Sequence, residues 1–321
     1  MTCKRCRARA EVHLRQHNAA FCRACFILYF QRQVQRAVES QHLFTPAEEV
    51  LVAVSGGKDS LALWDALLAL GFRVSGLHLE LGIGTYSQTS RHKTEAFAQS
   101  RGLSLITASL EDEGLGISTV KRFTNRPPCA ACGIAKRHYF DRVAFERGFS
   151  VLATGHNLDD EAARLLGNIL HWQTGHLAKQ SPILHKAHER LVRKVKPLFR
   201  ISEYEAAVYA FFRRIDYVIE ECPNSNGATQ LIYKDVLNRL EAAMPGTKLM
   251  FLQNFLRVGR PAFAADTEEP PQSCERCGMP AFGKVCSFCT LVAEIAGKRS
   301  RRVNVPGVPP ATLTDHLRSV R

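Results

Sequence analysis

Cysteine spacing constrains this chain more than any other feature. Its eleven cysteines fall into three sets: Cys3, Cys6, Cys22 and Cys25; Cys129, Cys132 and Cys222; and Cys274, Cys277, Cys286 and Cys289. Five C-x2-C pairs in 321 residues read as metal ligands, because disulfide scaffolds are usually short secreted chains. Each outer set has two close pairs, separated by fifteen residues in the first and eight in the last, which suits a tetrahedral four-thiolate zinc ion. His13 and His17 lie between the first two pairs, as substitute ligands or as surface histidines. The middle set is odd in number, and its spacing leaves three readings open. These are a zinc site completed by a ligand such as histidine, a redox pair with Cys222 as a buried small residue, and a [4Fe–4S] cluster with one open iron.

Charge points to the partner class. Lys and Arg total 43 against 30 Asp and Glu, a formal net charge of +13. That surplus favours a polyanion, since basic side chains release counterions from a phosphate backbone. Hydrophobic residues make up 45%, enough for a substantial core. The longest apolar stretch, 61–72, is too short for a membrane span and carries Asp65. The residues around Cys3 and Cys6 have no apolar signal core, so a cytoplasmic, non-membrane protein is expected.

Between the outer cysteine sets the pattern alternates. Phe26–Ser40 has the apolar spacing of a linking helix. Glu49–Val54 reads as a buried strand and runs into Ser55-Gly56-Gly57-Lys58-Asp59-Ser60, followed by a helix over Leu61–Leu70 and a strand over Arg73–Leu79. Further strands are expected at Leu103–Ser109 and Phe149–Thr154, a short one at Tyr217–Glu220, and helices at Ser202–Arg214 and Gln230–Ala243. Ser202 with Glu205 forms a capping-box pattern. The alternation predicts an α/β fold with a doubly wound parallel sheet. The expected organisation is a zinc module over 1–28, a nucleotide-binding catalytic domain over 29–259, a linker over 260–273, a zinc ribbon over 274–300 and a flexible basic tail over 301–321.

A glycine turn between strand and helix presents backbone N–H groups to an anion at a helix N-terminus. Ser55–Ser60 has that context but not the spacing of a Walker loop, which argues against a kinase or GTPase. The hexapeptide resembles the signature of the PP-loop ATP pyrophosphatases. The resemblance implies that Ala53, His78 and Leu79 border adenine, and that Ser55, Gly56, Gly57, Lys58, Asp59 and Ser60 hold the β- and γ-phosphates. In a second strand-to-helix junction, Thr154–Glu161, Gly155 permits close approach and Asp160 corresponds to the acidic position near Mg²⁺. By itself that junction reads as an N-capping cluster; the functional reading comes from its pairing with Ser55–Ser60.

Cys129-Ala-Ala-Cys132-Gly-Ile-Ala-Lys136-Arg137 and the distant Cys222-Pro resemble the tRNA thiolation branch of that family. The two terminal C-x2-C modules and the stretch Gly155–Trp172 narrow the likeness to the TtuA-like 2-thiouridine synthetases. The likeness implies ATP with Mg²⁺, two Zn²⁺ and one [4Fe–4S] cluster on Cys129, Cys132 and Cys222. Asp59 and Lys136 are implied as catalytic, tRNA as substrate, a ubiquitin-like protein as sulfur carrier, and a homodimer as the assembly. Three competitors remain: another PP-loop enzyme, which needs no cysteine trio; a zinc nucleic-acid-binding protein with a vestigial nucleotide domain; and a thiolase using a persulfide without a cluster.

Overall fold

A computed structural model of the chain describes residues 1–225, 227–263 and 270–302. Strands β1 (Val12–Leu14) and β2 (Ala19–Phe21) form a hairpin between the first two cysteine pairs, and α1 (Arg23–Ser40) leads out of it. There follow β3 (Glu49–Ala53), α2 (Lys58–Ala69), β4 (Arg73–Glu80), α3 (Gly84–Arg101), β5 (Leu105–Ser109), α4 (Ile117–Phe123) and α5 (Pro128–Glu146). The second half runs β6 (Val151–Thr154), α6 (Leu158–Leu170), α7 (Thr174–Lys179), β7 (Ile183–Leu184), β8 (Arg193–Val195), α8 (Glu203–Phe212), α9 (Thr229–Ala243) and α10 (Thr247–Asn254). A last hairpin, β9 (Gln272–Ser273) and β10 (Pro280–Ala281), precedes α11 (Ser287–Arg302).

The central sheet has the order β5-β4-β3-β6-β8-β7, parallel except at β7. Strand order reverses between β3 and β6, which are paired from Val50↔Val151 to Ala53↔Thr154. The loops after these two strands therefore leave side by side at their carboxyl ends, where open α/β sheets bind ligands.

On one face α1, α2 and α8 bury Phe30, Trp64 and Tyr209, with Phe30 stacked on Tyr209 at a centroid distance of 4.0 Å. Gly76 of β4 is required there, because a side chain on it would collide with the Trp64 indole. The capping box at Ser202 forms as the sequence indicates, with Glu205 also accepting from Ser202 N at 2.7 Å. Glu205, 1% exposed, further accepts from Tyr29 Oη at 2.7 Å and lies 3.6 Å from His17 Nε2. It thereby ties the N-terminal cysteine module to α8.

Two expectations change. Tyr217–Glu220 does not form a strand: Val218 N donates instead to Gly56 O at 2.9 Å, so this segment pairs with the loop after β3 rather than with the sheet. The basic run starting at Lys298 is helical as far as Arg302, since α11 continues to that point. Residues 303–321 of the expected tail, and 264–269 of the expected linker, lie outside the described residues. Among the described residues no helix is long and apolar enough to cross a membrane.

Candidate active site

The loop after β3 is held from three sides. Gly56 has φ +74°, and a Cβ there would stand 2.7 Å from Ser90 O, so both its conformation and its neighbour demand glycine. Ser90 Oγ donates to Ser55 O at 2.6 Å, and Val218 N to Gly56 O, as above. Ser60 Oγ accepts from Ser55 N at 3.1 Å and donates to Gly57 O at 3.0 Å. Ser60 thus serves the loop's own geometry, while Ser55 is the more accessible of the two hydroxyls. Gly57 caps α2 without any side-chain cap bond, so the helix opens with its dipole and amides directed at the loop.

Gly155 follows directly on the neighbouring strand β6. A Cβ on it would lie 2.8 Å from Ser60 N and 3.0 Å from Asp59 C. The close approach it permits is therefore to the first turn of α2, which locks the two loops together. Ala53 closes β3 beside Leu77 and Thr154. His78, buried in β4, donates from Nδ1 to Val54 O at 3.0 Å, which leaves Nε2 as a buried acceptor without a partner, and burial pulls its pKa down. Leu79 beside it is buried.

A charged cluster covers the loop. Lys58 Nζ reaches Asp59 Oδ2 at 3.1 Å and Glu203 Oε1 at 2.7 Å. Asp59 Oδ1 accepts from Asn157 Nδ2 at 3.1 Å. Burial raises the Asp59 pKa against the pull of Lys58 and Asn157, and the Asp160 charge adds to the rise. Asp160, in the first turn of α6, closes a capping box with Asn157 and pairs with Lys234 at 2.6 Å. Burial opposes the charge on Lys58 and on Lys234, but the surrounding carboxylates outweigh it and raise both pKa values. Asp159 points the other way, to Lys248 at 2.5 Å and to Glu203 N at 2.7 Å. Sequence reasoning missed Glu203, Lys234 and Lys248, and read Asn157 only as part of an N-capping cluster, which it is. Glu203 stood unread inside a recognised capping box, and Lys234 inside what read as an ordinary helix.

The three middle cysteines are neighbours, although their Sγ atoms, unlike those of the outer sets, do not all lie within 4.8 Å of one another. Cys129 and Cys132 lie in the first turns of α5, after Pro127-Pro128, and Cys129 Sγ donates to Asn224 O at 3.1 Å, two residues beyond Cys222. The Cys132 thiol is raised chiefly by burial; Lys136 acts in the opposite direction, while Cys222 and Cys129 add to the rise. Lys136, one turn along α5, therefore has Cys132 as its neighbour. Four residues before Cys222, Val218 bonds the phosphate-type loop, so the segment that pairs with Gly56 runs on to the third thiol. Cys129 is exposed and the other two half-buried, which leaves the trio open on one side. Three soft thiols on neighbouring segments suit a cluster with one iron left open.

The outer sets fit zinc. In each, all four Sγ atoms lie within 4.8 Å of one another. Cys6 Sγ and Cys22 Sγ are 3.6 Å apart, and Cys277 Sγ and Cys286 Sγ 3.7 Å. A tetrahedron with Zn–S of about 2.3 Å has edges of about 3.8 Å. His13 pairs with Ala20 in the β1–β2 hairpin and His17 sits by Glu205, so neither belongs to the first set. The C-terminal set rests on α5, where the Phe288 ring stacks on His138 at 3.9 Å.

A glycine loop at the reversal of a parallel sheet, opening a helix beside acidic residues, defines a PP-loop ATP-binding protein. The PP-loop domain family matches residues 28–230, and the N-terminal LIM domain of 2-thiouridine synthetase TtuA matches residues 2–27. The tRNA-5-methyluridine(54) 2-sulfurtransferase of Thermus thermophilus is 46% identical over 95% of this chain and 95% of its own. The protein of that name from Pyrococcus horikoshii is 42% identical, over 90% of this chain and 93% of its own. The solved structure of the U34-tRNA thiolase NcsA from Methanococcus maripaludis with its [4Fe-4S] cluster shares the fold. It superposes with a TM-score of 0.76 at 24% identity, covering 91% of this chain and 96% of its own. The chain belongs to the TtuA-like branch of the PP-loop family.

Proposed function

We propose that this protein is an ATP-dependent tRNA 2-sulfurtransferase acting on 5-methyluridine 54. The observation that carries the reading is the segment 215–225, which joins an ATP-type loop to a trio of thiols remote in sequence. The two curated relatives named above support the nucleoside and its position.

ATP would lie with adenine near Ala53, His78 and Leu79, and its phosphates on Ser55–Ser60. Lys58 offsets phosphate charge, the α2 amides bind phosphate oxygens, and Asp59 and Asp160 supply the hard oxygen ligands that Mg²⁺ takes. The uracil C2 oxygen attacks the α-phosphorus, pyrophosphate leaves, and a poor leaving group becomes AMP. Sulfide then adds at C2 and AMP departs, giving 2-thiouridine with no net electron transfer. A [4Fe–4S] cluster on Cys129, Cys132 and Cys222, when bound, supplies a soft metal site at which sulfide is held. Lys136 places its positive charge beside Cys132 and the arriving sulfur.

In this reading the zinc modules at 1–28 and 274–300 flank a catalytic domain at 29–259, joined by the linker 260–273. With the basic segment 301–321 they bind tRNA phosphates, while the exposed uracil enters the central site. A ubiquitin-like carrier with a C-terminal thiocarboxylate delivers sulfur, and the protein works as a cytoplasmic homodimer. Mass spectrometry of tRNA nucleosides from a deletion strain tests the reading. Loss of 2-thiouridine mapped to position 54 is expected, and tRNA with unchanged thiolation refutes it. Iron and sulfide analysis of anaerobically purified protein tests the cluster: a fully active iron-free enzyme favours the persulfide alternative.

A further inference from the structure

Two lysines from distant parts of the chain share one carboxylate at the edge of the loop. Lys58 Nζ stands 2.7 Å from Glu203 Oε1, and Lys234 Nζ stands 3.2 Å from Glu203 Oε2. Lys234 projects from α9, which is fixed against α6: Leu237 is buried on Ala162 and Ala163, and Gln230 Nε2 donates to Asp160 O at 3.0 Å. The ammonium is therefore held in place by a packed helix. Both lysine side chains are largely covered, at 21% and 18% exposed, whereas Glu203 is 40% exposed and can swing into water.

Charge gives this arrangement a direction. Asp59, Asp160 and Glu203 set three carboxylates against two ammonium groups, so the cluster as it stands repels a triphosphate. When Glu203 swings out, two lysines remain facing the loop against two carboxylates, and an Mg²⁺ arriving with the nucleotide tips the balance to positive. A carboxylate bridging two ammonium groups has the hydrogen-bonding chemistry of a phosphate group.

We propose that Lys234 is a second phosphate-binding lysine, serving the β,γ end of ATP, and that Glu203 holds the phosphate's place until ATP displaces it. This rests on the ATP reading above and goes beyond it, since the matched PP-loop family region ends at residue 230, short of Lys234. The competing role for Lys234 is to brace α9 against α6 through Asp160.

Titration calorimetry on the full chain in Mg²⁺ buffer, with ATP, pyrophosphate and AMP as ligands, separates these roles. Lys234→Met is expected to weaken ATP and pyrophosphate by about tenfold to a hundredfold, the loss of one charge-assisted bond to phosphate. AMP, which lacks those phosphates, should bind Lys234→Met as it binds wild type, and Lys234→Arg should restore most of the ATP affinity. Glu203→Gln keeps the shape without the charge and should tighten ATP by about threefold to tenfold, because the occupied state no longer competes. If Lys234→Met binds ATP within twofold of wild type, or loses AMP in parallel, Lys234 is a brace and the proposal fails. An unchanged or weaker ATP affinity in Glu203→Gln removes the place-holding role. A folded wild type that binds neither ATP nor AMP takes down the ATP reading itself.

Discussion

Replacing Gly155 by alanine tests whether the two loops are locked together as described. The added Cβ would stand 2.8 Å from Ser60 N, 2.9 Å from Ser60 Cα and 3.0 Å from Asp59 C. All three atoms are backbone, so no rotamer change relieves the contact. Either β6 or the first turn of α2 must move by several tenths of an ångström. Overpacking of this kind costs about 1–3 kcal/mol. The displaced turn also carries Asp59 and Ser60, and misplacing a binding group by about 1 Å can cost about a hundredfold. Gly297→Ala in α11 is the control, because a Cβ there would meet nothing within 4 Å. Urea denaturation should show Gly155→Ala destabilised by about 1–3 kcal/mol, with ATP binding at least tenfold weaker. Gly297→Ala should retain wild-type ATP affinity. A Gly155→Ala protein with unchanged stability and ATP affinity would refute the reasoning.

Cys222→Ser should abolish thiolation and cut the iron content of anaerobic preparations while leaving ATP affinity within twofold; undiminished thiolation by this variant counts against the trio. Elemental analysis should find two zinc ions per chain. Stripping them should expose the segment before α1 to protease and lower the melting temperature, because binding energy of about 10–16 kcal/mol per structural site is lost. A stripped protein that melts and resists proteolysis like the native one excludes structural zinc. His138 gives a pH dependence: burial, with Arg142 nearby, pushes its pKa from 6.5 down to about 4. Its stabilising contribution is complete above about pH 6.5 and is lost as pH falls towards 4, because the unfolded chain then binds the proton more readily. Between pH 7 and 5 this amounts to about 2 kcal/mol, which His138→Phe should remove from the urea-denaturation profile. An identical pH profile in that variant would show that His138 contributes nothing to it.

Features set by short-range spacing were readable in the sequence. The C-x2-C pairs, the hexapeptide Ser55–Ser60 and the capping box at Ser202 each depend on residues within a turn or two of one another, so local geometry decides them. The alternation of strand and helix was readable for the same reason, through hydrophobic periods of two and 3.6. Tyr217–Glu220 shows the limit: its residues favour extended backbone, but a strand also needs a partner, and the backbone of this segment bonds to Gly56 instead.

What only the tertiary structure decided is which distant groups meet. Glu203 lies 145 positions from Lys58, and Asn224 lies 95 from Cys129. No periodicity along the chain encodes either contact. The first follows from α8 packing on α2, and the second from the segment between α8 and α9 reaching α5; such packing is selected by buried shape and area. The charges at its rim are carried into place by the apolar faces beneath them, which is why the sequence shows these side chains as ordinary surface residues.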